Sequence, residues 1–397
     1  MRPSNNPRSG IANRPRRGWF CGSYDGSYYG GLRGIVLGLA MVSSGVLTAC
    51  SMYDESVLAG RTQNSLTCEL KRLPDVPAVG DDGVDVGELW FALLDVEVDQ
   101  PSGRWAEIGF DLDGLCTPPE DPNAPVRCIT RGGRYPAKDG PGGVDNYAGE
   151  YALQAAAMQM PYMQPDLRTA ERLGVTQALR VRGWNGLDND PDVRIAIVDA
   201  VFALPSEQTF VETPGKAESP LLADWSYGAP RWDGTDKLWI SSASLVDRDP
   251  NRPIEEYVAY VVNRRFVVRS QARSLTPMNA SKFAIAFGFA EEVFSGRISA
   301  DSMSLEEVTW QGRWTVNNIV EAITSPTFTC MQGPVEYDLL LDSATRMADM
   351  RADPATEDQG LECDSLSTAI GFSGARIQLG GVAEPGPLPD PCLYTTE

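Results

Sequence analysis

A mainly β fold, an antiparallel β-sandwich or jelly-roll-like body with two or three helical insertions, is what the sequence predicts. Three observations predict it. Short runs rich in β-branched and aromatic residues recur along the chain and often alternate apolar with polar; Asn-Gly, Asp-Gly and Ser-Gly pairs punctuate them; and the few helical patterns do not alternate strictly with strands, as a parallel α/β sheet would require. In chain order the strand candidates are Leu89–Val98, Ala178–Arg182, Val193–Val198, Lys237–Ser241, Phe266–Arg269, Lys282–Phe287 and Ser367–Phe372. Trp239 is expected to fill the core from within its strand. Arg180–Gly186 and the stretch from Val193 onward form two antiparallel strands joined by a polar turn, and Asp188–Asp192 lies in that turn. Helices are expected near Tyr147–Met160, Val316–Ile323 and Val335–Met350, the last with Leu339, Leu340, Ala344 and Met347 on one face.

The beginning of the chain carries a different signal. Gly34–Leu47 is an uncharged apolar run preceded by Arg33 and followed by Thr48-Ala49-Cys50, the layout of an export signal. It falls short of the roughly 20 apolar residues of a membrane-spanning helix, and no other stretch comes nearer. Leu47-Thr48-Ala49-Cys50 resembles the lipobox of bacterial lipoproteins, and that resemblance implies a diacylglycerol on Cys50 with cleavage just before it. The expected organisation is therefore a signal peptide at 1–49, a lipidated tether at 50–67 and a single disulfide-stapled β-rich domain at 68–397. The leader before the apolar run is long and lacks any pattern that would fold, so translation is expected to start nearer Leu32. Arg16-Arg17 hints only weakly at twin-arginine export, because the apolar run does not follow directly. Ser51 follows the lipid cysteine where an inner-membrane lipoprotein commonly carries aspartate, so the resemblance implies the outer membrane.

Charge narrows the partners. Losing residues 1–49 removes six arginines and one aspartate, moving the net charge from −20 to −25. Such a body repels phosphate backbones and anionic headgroups, so nucleic acid is excluded as a partner and attachment to the membrane rests on the lipid anchor. The acidity itself is mainly a solubility device. Cys21 leaves with the leader and Cys50 takes the lipid, which leaves Cys68, Cys116, Cys128, Cys330, Cys363 and Cys392. An even six in an oxidising compartment reads as three disulfides, with 15 pairings open. Cys116 with Cys128 is the best local pair, and Cys330 with Cys363 and Cys68 with Cys392 would complete the set.

The absent residues exclude whole chemistries. The chain has no histidine, so no Ser-His-Asp or Cys-His pair and no histidine metal site can form. Motifs for nucleotide binding and for an α/β-hydrolase nucleophile are missing as well, and no lysine lies three residues after a serine. Carboxylate chemistry survives, and a glycan hydrolase would need two acids facing one another, a pair the sequence does not mark. The most informative cluster is acidic residues among glycines. Asp111 and Asp113 in Ile108–Gly114, with Asp139, Asp145 and Asn146 in Lys138–Asn146, offer the oxygen ligands a Ca²⁺ ion takes, although the spacing is not that of an EF-hand. Asp-Gly and Gly-Gly segments are most often simple turns. Trp225 and Trp232, within Asp224–Trp239, form a second candidate site where aromatic faces would stack on a sugar.

These phrases, together with Cys363–Phe372, resemble a group of exported lipoproteins from myxobacterial-type genomes that carries no established activity. The resemblance implies export and single-unit architecture and transfers no site. The expected function is a lipid-anchored envelope or surface protein that binds a glycan or protein ligand, with structural calcium as an added feature. A passive envelope component and a carboxylate-based glycan hydrolase are the alternatives.

Overall fold

Leu89–Leu94 is apolar at every position, which a strand with one buried face does not require. The computed structural model shows why. It describes residues 69–98, 100, 103–117, 126–131, 138–150, 168, 171, 174–202, 230–270, 288–324 and 336–383. Strand β1 (Leu89–Glu97) is buried on both faces: Leu89, Phe91 and Leu93 join one apolar cluster, and Trp90, Ala92 and Leu94 join another.

The remaining strands are β2 (Val175–Arg182), β3 (Asp190–Phe202), β4 (Lys237–Ser241), β5 (Glu256–Val262), β6 (Arg265–Ser270), β7 (Phe289–Ile298), β8 (Ser304–Thr315) and β9 (Ser365–Ala383). Eight of them close an antiparallel ring in the order β1-β2-β3-β5-β6-β7-β8-β9 and back to β1. The body is therefore a barrel, and the expected sandwich or jelly roll is corrected. Two pairings distant in sequence decide this: Trp90↔Ile377 between β1 and β9, and Ile195↔Tyr257 between β3 and β5. Closure leaves the ring without free edges. Strand β4 lies outside the ring, antiparallel to the end of β3 and parallel to the end of β9. It closes a second, smaller ring through β1, β2, β3 and β9, and the wall shared by the two rings explains the unbroken apolar run of β1.

The large ring is filled by side chains. Phe266 and Phe294 pack with ring centroids 5.6 Å apart, Phe294 meets Phe372 edge-on at 6.3 Å, and Phe289 lies 4.6 Å from Trp310. Gly312 sits where a Cβ would come within 2.6 Å of Phe289, so this crowded layer needs a residue without a side chain. The smaller ring holds Leu238 and Ile240 of β4 with Val198, Ala200 and Ile377. Trp239 alternates with them onto the outer face and is half-buried against Gly380 and Gly381, a correction to its expected core place.

Helix α1 (Tyr147–Glu150) starts where expected, and its predicted continuation to Met160 lies outside the described residues. Helix α2 (Val316–Thr324) continues directly from β8 and puts Val316, Ile319 and Ala322 into the large core. Helix α3 (Tyr337–Met347) buries Ala344 and packs Leu341 and Met347 on that core, while Leu339 is exposed and does not share their face. The hairpin expectation for Arg180–Val198 matches the structure, where Arg182 pairs with Arg194 across the turn. Lys282–Phe287 lies outside the described residues.

A disulfide joins Cys128 to Cys363, 235 residues apart, and both cysteines belong to the large core. The expected pairs Cys116 with Cys128 and Cys330 with Cys363 are thereby corrected. The first pair brackets a Pro-rich loop and the second would staple the ends of a helical segment, but the segment at Ile129 runs alongside Glu362 and brings Cys128 to the start of β9 instead. Cys116 is also disulfide-bonded, to a partner outside the described residues. Cys68, Cys330 and Cys392 lie outside them too.

Candidate functional site

The glycine-punctuated acidic turns fold on one another. Gly109, at a φ of 114°, turns the chain so that the Phe110 N–H donates to Gln311 Oε1 at 2.8 Å. Past it, Asp111 Oδ1 accepts from the Gly114 N–H at 2.6 Å and Asp113 Oδ1 from the Leu115 N–H at 2.8 Å, two side-chain turns of the kind aspartate makes readily. The second loop packs against this one. Asp145 Oδ2 accepts from the Leu112 N–H at 2.6 Å, and Asp139 Oδ2 accepts from the Thr117 N–H at 2.6 Å. Gly143, at a φ of 68°, lies where a Cβ would come within 2.6 Å of the Leu115 carbonyl, so the two loops meet backbone to backbone.

The result brings carboxylate oxygens of Asp111, Asp113 and Asp145 within 4.8 Å of one another. Burial pushes Asp145 well above the usual carboxylate range, with Asp113 and Asp139 adding to the rise. Burial likewise raises Asp113, with Asp111 and Glu357 adding repulsion, and takes Asp139 up to about 7, helped by Asp113 and Asp349. Asp349 reaches about 6 through burial while accepting from Ser367 N–H and Oγ at 2.8 and 2.6 Å. Arg72 supplies a counter-charge to Asp111 at 3.3 Å. Such a group either shares protons or holds a hard cation.

Asn146 does not face this group. Its amide donates to Gln100 Oε1 and to the Trp105 carbonyl, and its Oδ1 accepts from the Gly149 and Ala369 N–H groups, so it fixes α1 against β9. Trp232 is half-buried and packs on the smaller core, its backbone N–H donating to Asp236 Oδ2 at 2.6 Å. Trp225 lies outside the described residues, so the structure does not bring the two tryptophans into a shared platform.

A site that sequence reasoning missed lies on the other side of Phe110. A cleft of about 560 Å³ is bounded by Lys71, Arg104, Ile108, Phe110, Arg265 and Glu307. Lys71 comes from a strap preceding β1, held by its N–H to the Gly142 carbonyl at 2.7 Å and by its carbonyl to the Asp111 N–H at 2.9 Å. Lys71 Nζ stands 5.3 Å from the Phe110 ring centroid and the Arg265 guanidinium 5.4 Å from it, both as cation–π contacts.

The lining charges are unevenly committed. Arg104 grips Glu97 through two bonds of 2.8 and 2.9 Å and Glu107 through a third of 2.6 Å. Glu307 pairs with Arg265 and with Arg297, and Asp95 accepts from Ser373 Oγ at 2.6 Å. Lys71 Nζ donates to the Glu107 carbonyl at 2.9 Å, and among the described residues no carboxylate lies within ion-pair distance of it. Packing around the ammonium lowers the Lys71 pKa, with Arg265 and Arg104 adding to the fall and Glu307 and Glu107 opposing it; burial lowers that of Arg265 too. No local pattern marks these residues, because the strap, the turn before Asp111, β6 and β8 meet only in the folded barrel. Compared with known protein families, curated proteins and solved structures, the chain matches none.

Proposed function

We propose that this chain is an exported, lipid-anchored β-barrel protein that binds a ligand and does not transform it, with the cleft beside Phe110 as the ligand site. The observation that carries this reading is the cleft itself: about 560 Å³, bordered by Ile108, Phe110, Val308 and Phe372 and carrying one cation, Lys71, that no described carboxylate approaches within ion-pair distance. A ligand pocket combines apolar surface with placed polar groups, and this lining is about evenly divided between the two. Export is supported by the Cys128–Cys363 disulfide and by that of Cys116, since such bonds persist in oxidising compartments. Anchoring at the outer membrane through Cys50 follows from the lipobox resemblance.

The test is thermal melting of the body from Ser51 onward against a library of small organic compounds, repeated on Ser373→Phe, which projects a ring into the cleft. A ligand that binds only the folded state stabilises it by about 2.7 kcal/mol at a hundredfold excess over Kd. Compounds that raise the wild-type midpoint should lose that effect in the variant. Hits that act equally on both proteins would place the ligand elsewhere and sink the reading.

A second reading, a structural Ca²⁺ ion, is favoured by the approach of Asp111, Asp113 and Asp145 within 4.8 Å. Their oxygens suit a hard cation, and millimolar calcium would then raise the melting midpoint above its value in EDTA while magnesium would not. Superimposable curves would leave the group as proton-sharing turns.

A further inference from the structure

We propose that the cleft takes a small organic monocarboxylate, its carboxylate on Lys71 Nζ beside Arg265 and its apolar body against Ile108 and Phe110. This rests on the reading of the cleft as the ligand site and adds the class of ligand. The charge inventory argues for it. Four acids, Asp95, Glu97, Glu107 and Glu307, line the cleft with three cations, Lys71, Arg104 and Arg265. Every one of those acids has a described partner, and Arg104 and Arg265 are engaged by glutamates. Among the described residues Lys71, exposed on its strap, is the lining cation without an ion pair; one carbonyl occupies one of its three donors, and Glu307 and Glu107 act on it from beyond ion-pair distance.

An anion is the group that completes it, through short charge-assisted bonds. The same inventory limits the anion. With acids outnumbering cations along the lining, the longer-range field opposes a phosphate dianion, whereas a single negative charge in contact with Lys71 gains more from that contact than it loses to neighbours already paired. Affinity must then come from apolar contact. Ile108 and Phe110, both buried residues of the turn, border the cleft together with Val308 and Phe372. A ligand with a hydrocarbon body gains from that wall in proportion to the area it covers.

The experiment is calorimetric titration of the body from Ser51 onward with butyrate, hexanoate and octanoate, with octanol and inorganic phosphate as controls. Wild-type protein, Lys71→Met, Lys71→Arg and Ser373→Phe are compared. Affinity is expected to rise by about fourfold per added methylene. Octanol should bind roughly 10- to 100-fold more weakly than octanoate, and Lys71→Met should cut octanoate affinity by a similar factor while leaving octanol unchanged. Lys71→Arg should retain most of the octanoate affinity, which separates loss of charge from loss of fold. Equal binding of octanoate and octanol, displacement of octanoate by equimolar phosphate, or indifference to Lys71→Met would each overturn the carboxylate assignment. If uncharged compounds bind and Ser373→Phe abolishes that binding, the ligand class fails and the cleft stands as the site. If Ser373→Phe leaves octanoate affinity unchanged, the cleft reading falls as well.

Discussion

Asp139 carries a pKa pushed from 3.8 to about 7 by burial, and Asp349, at about 6, and Glu171, at about 7, are raised for the same first reason. Between pH 4 and pH 7 the folded protein therefore holds protons that the unfolded chain has released. Linkage then gives a negative slope: the stability contributed by these groups is complete near pH 4 and is lost as the pH rises through 7. The melting midpoint is expected to fall by several degrees between pH 5 and pH 8, and Asp139→Asn, which keeps an oxygen for the Thr117 N–H, should remove part of that fall. An unchanged slope in the variant would show that Asp139 does not titrate in this range. If calcium occupies the neighbouring carboxylates, millimolar calcium should flatten the same slope, because a cation then stands where protons otherwise do. The aspartates of this group were legible in the sequence as acids among glycines, a pattern local enough to see. Lys71 was not, because its meaning depends on a ring and two arginines that other segments bring to it.

At the scale of the element, β1 holds the most specific prediction. A strand on an ordinary barrel wall has one buried face, so truncating its outward residues costs little. Here Trp90 lies in the smaller core, with the Arg180 guanidinium 5.6 Å from its ring, and Phe91 lies in the larger one. Trp90→Ala and Phe91→Ala should each destabilise the protein by about 3–5 kcal/mol, measured by denaturant unfolding. A cost below about 1 kcal/mol for either would mean that only one face of β1 is packed, and the double-ring architecture would be refuted. The apolar run of β1 was readable as a strand, but whether such a run is buried on one side or two depends on what its neighbours enclose. Strands β5, β7 and β8 escaped notice, the last two for a related reason. Glu291, Glu292 and Glu307 interrupt the apolar pattern at β-bulges, where the register of β7 and β8 shifts and the alternation of faces is broken.

For the whole molecule, the proposed lipid anchor is the property to test in cells. Cells expressing the full chain and fed radiolabelled palmitate should label it, and Cys50→Ala should lose the label and release the body in soluble form. Retention of label by the variant would remove Cys50 as the lipid site. The disulfide at Cys128–Cys363 acts at this scale as well: it closes a chain segment of 235 residues, and a link of that kind stabilises by about 2–5 kcal/mol, chiefly by restricting the unfolded chain.

What the sequence determined by itself is what short-range order carries. Hydrophobic periodicity identified β4 to the residue and located β1, β2, β3, β6, the first part of β9 and the starts of α1 and α2, because neighbours along the chain share a face. Composition excluded histidine-dependent chemistry outright. The tertiary structure alone decided that the strands close into a barrel, that Cys128 meets Cys363 and that Lys71 joins Phe110 and Arg265 around a cleft. Each of these joins residues tens to hundreds of positions apart, and the free energy of such contacts is settled by the burial and geometry of the whole chain, which no local pattern records.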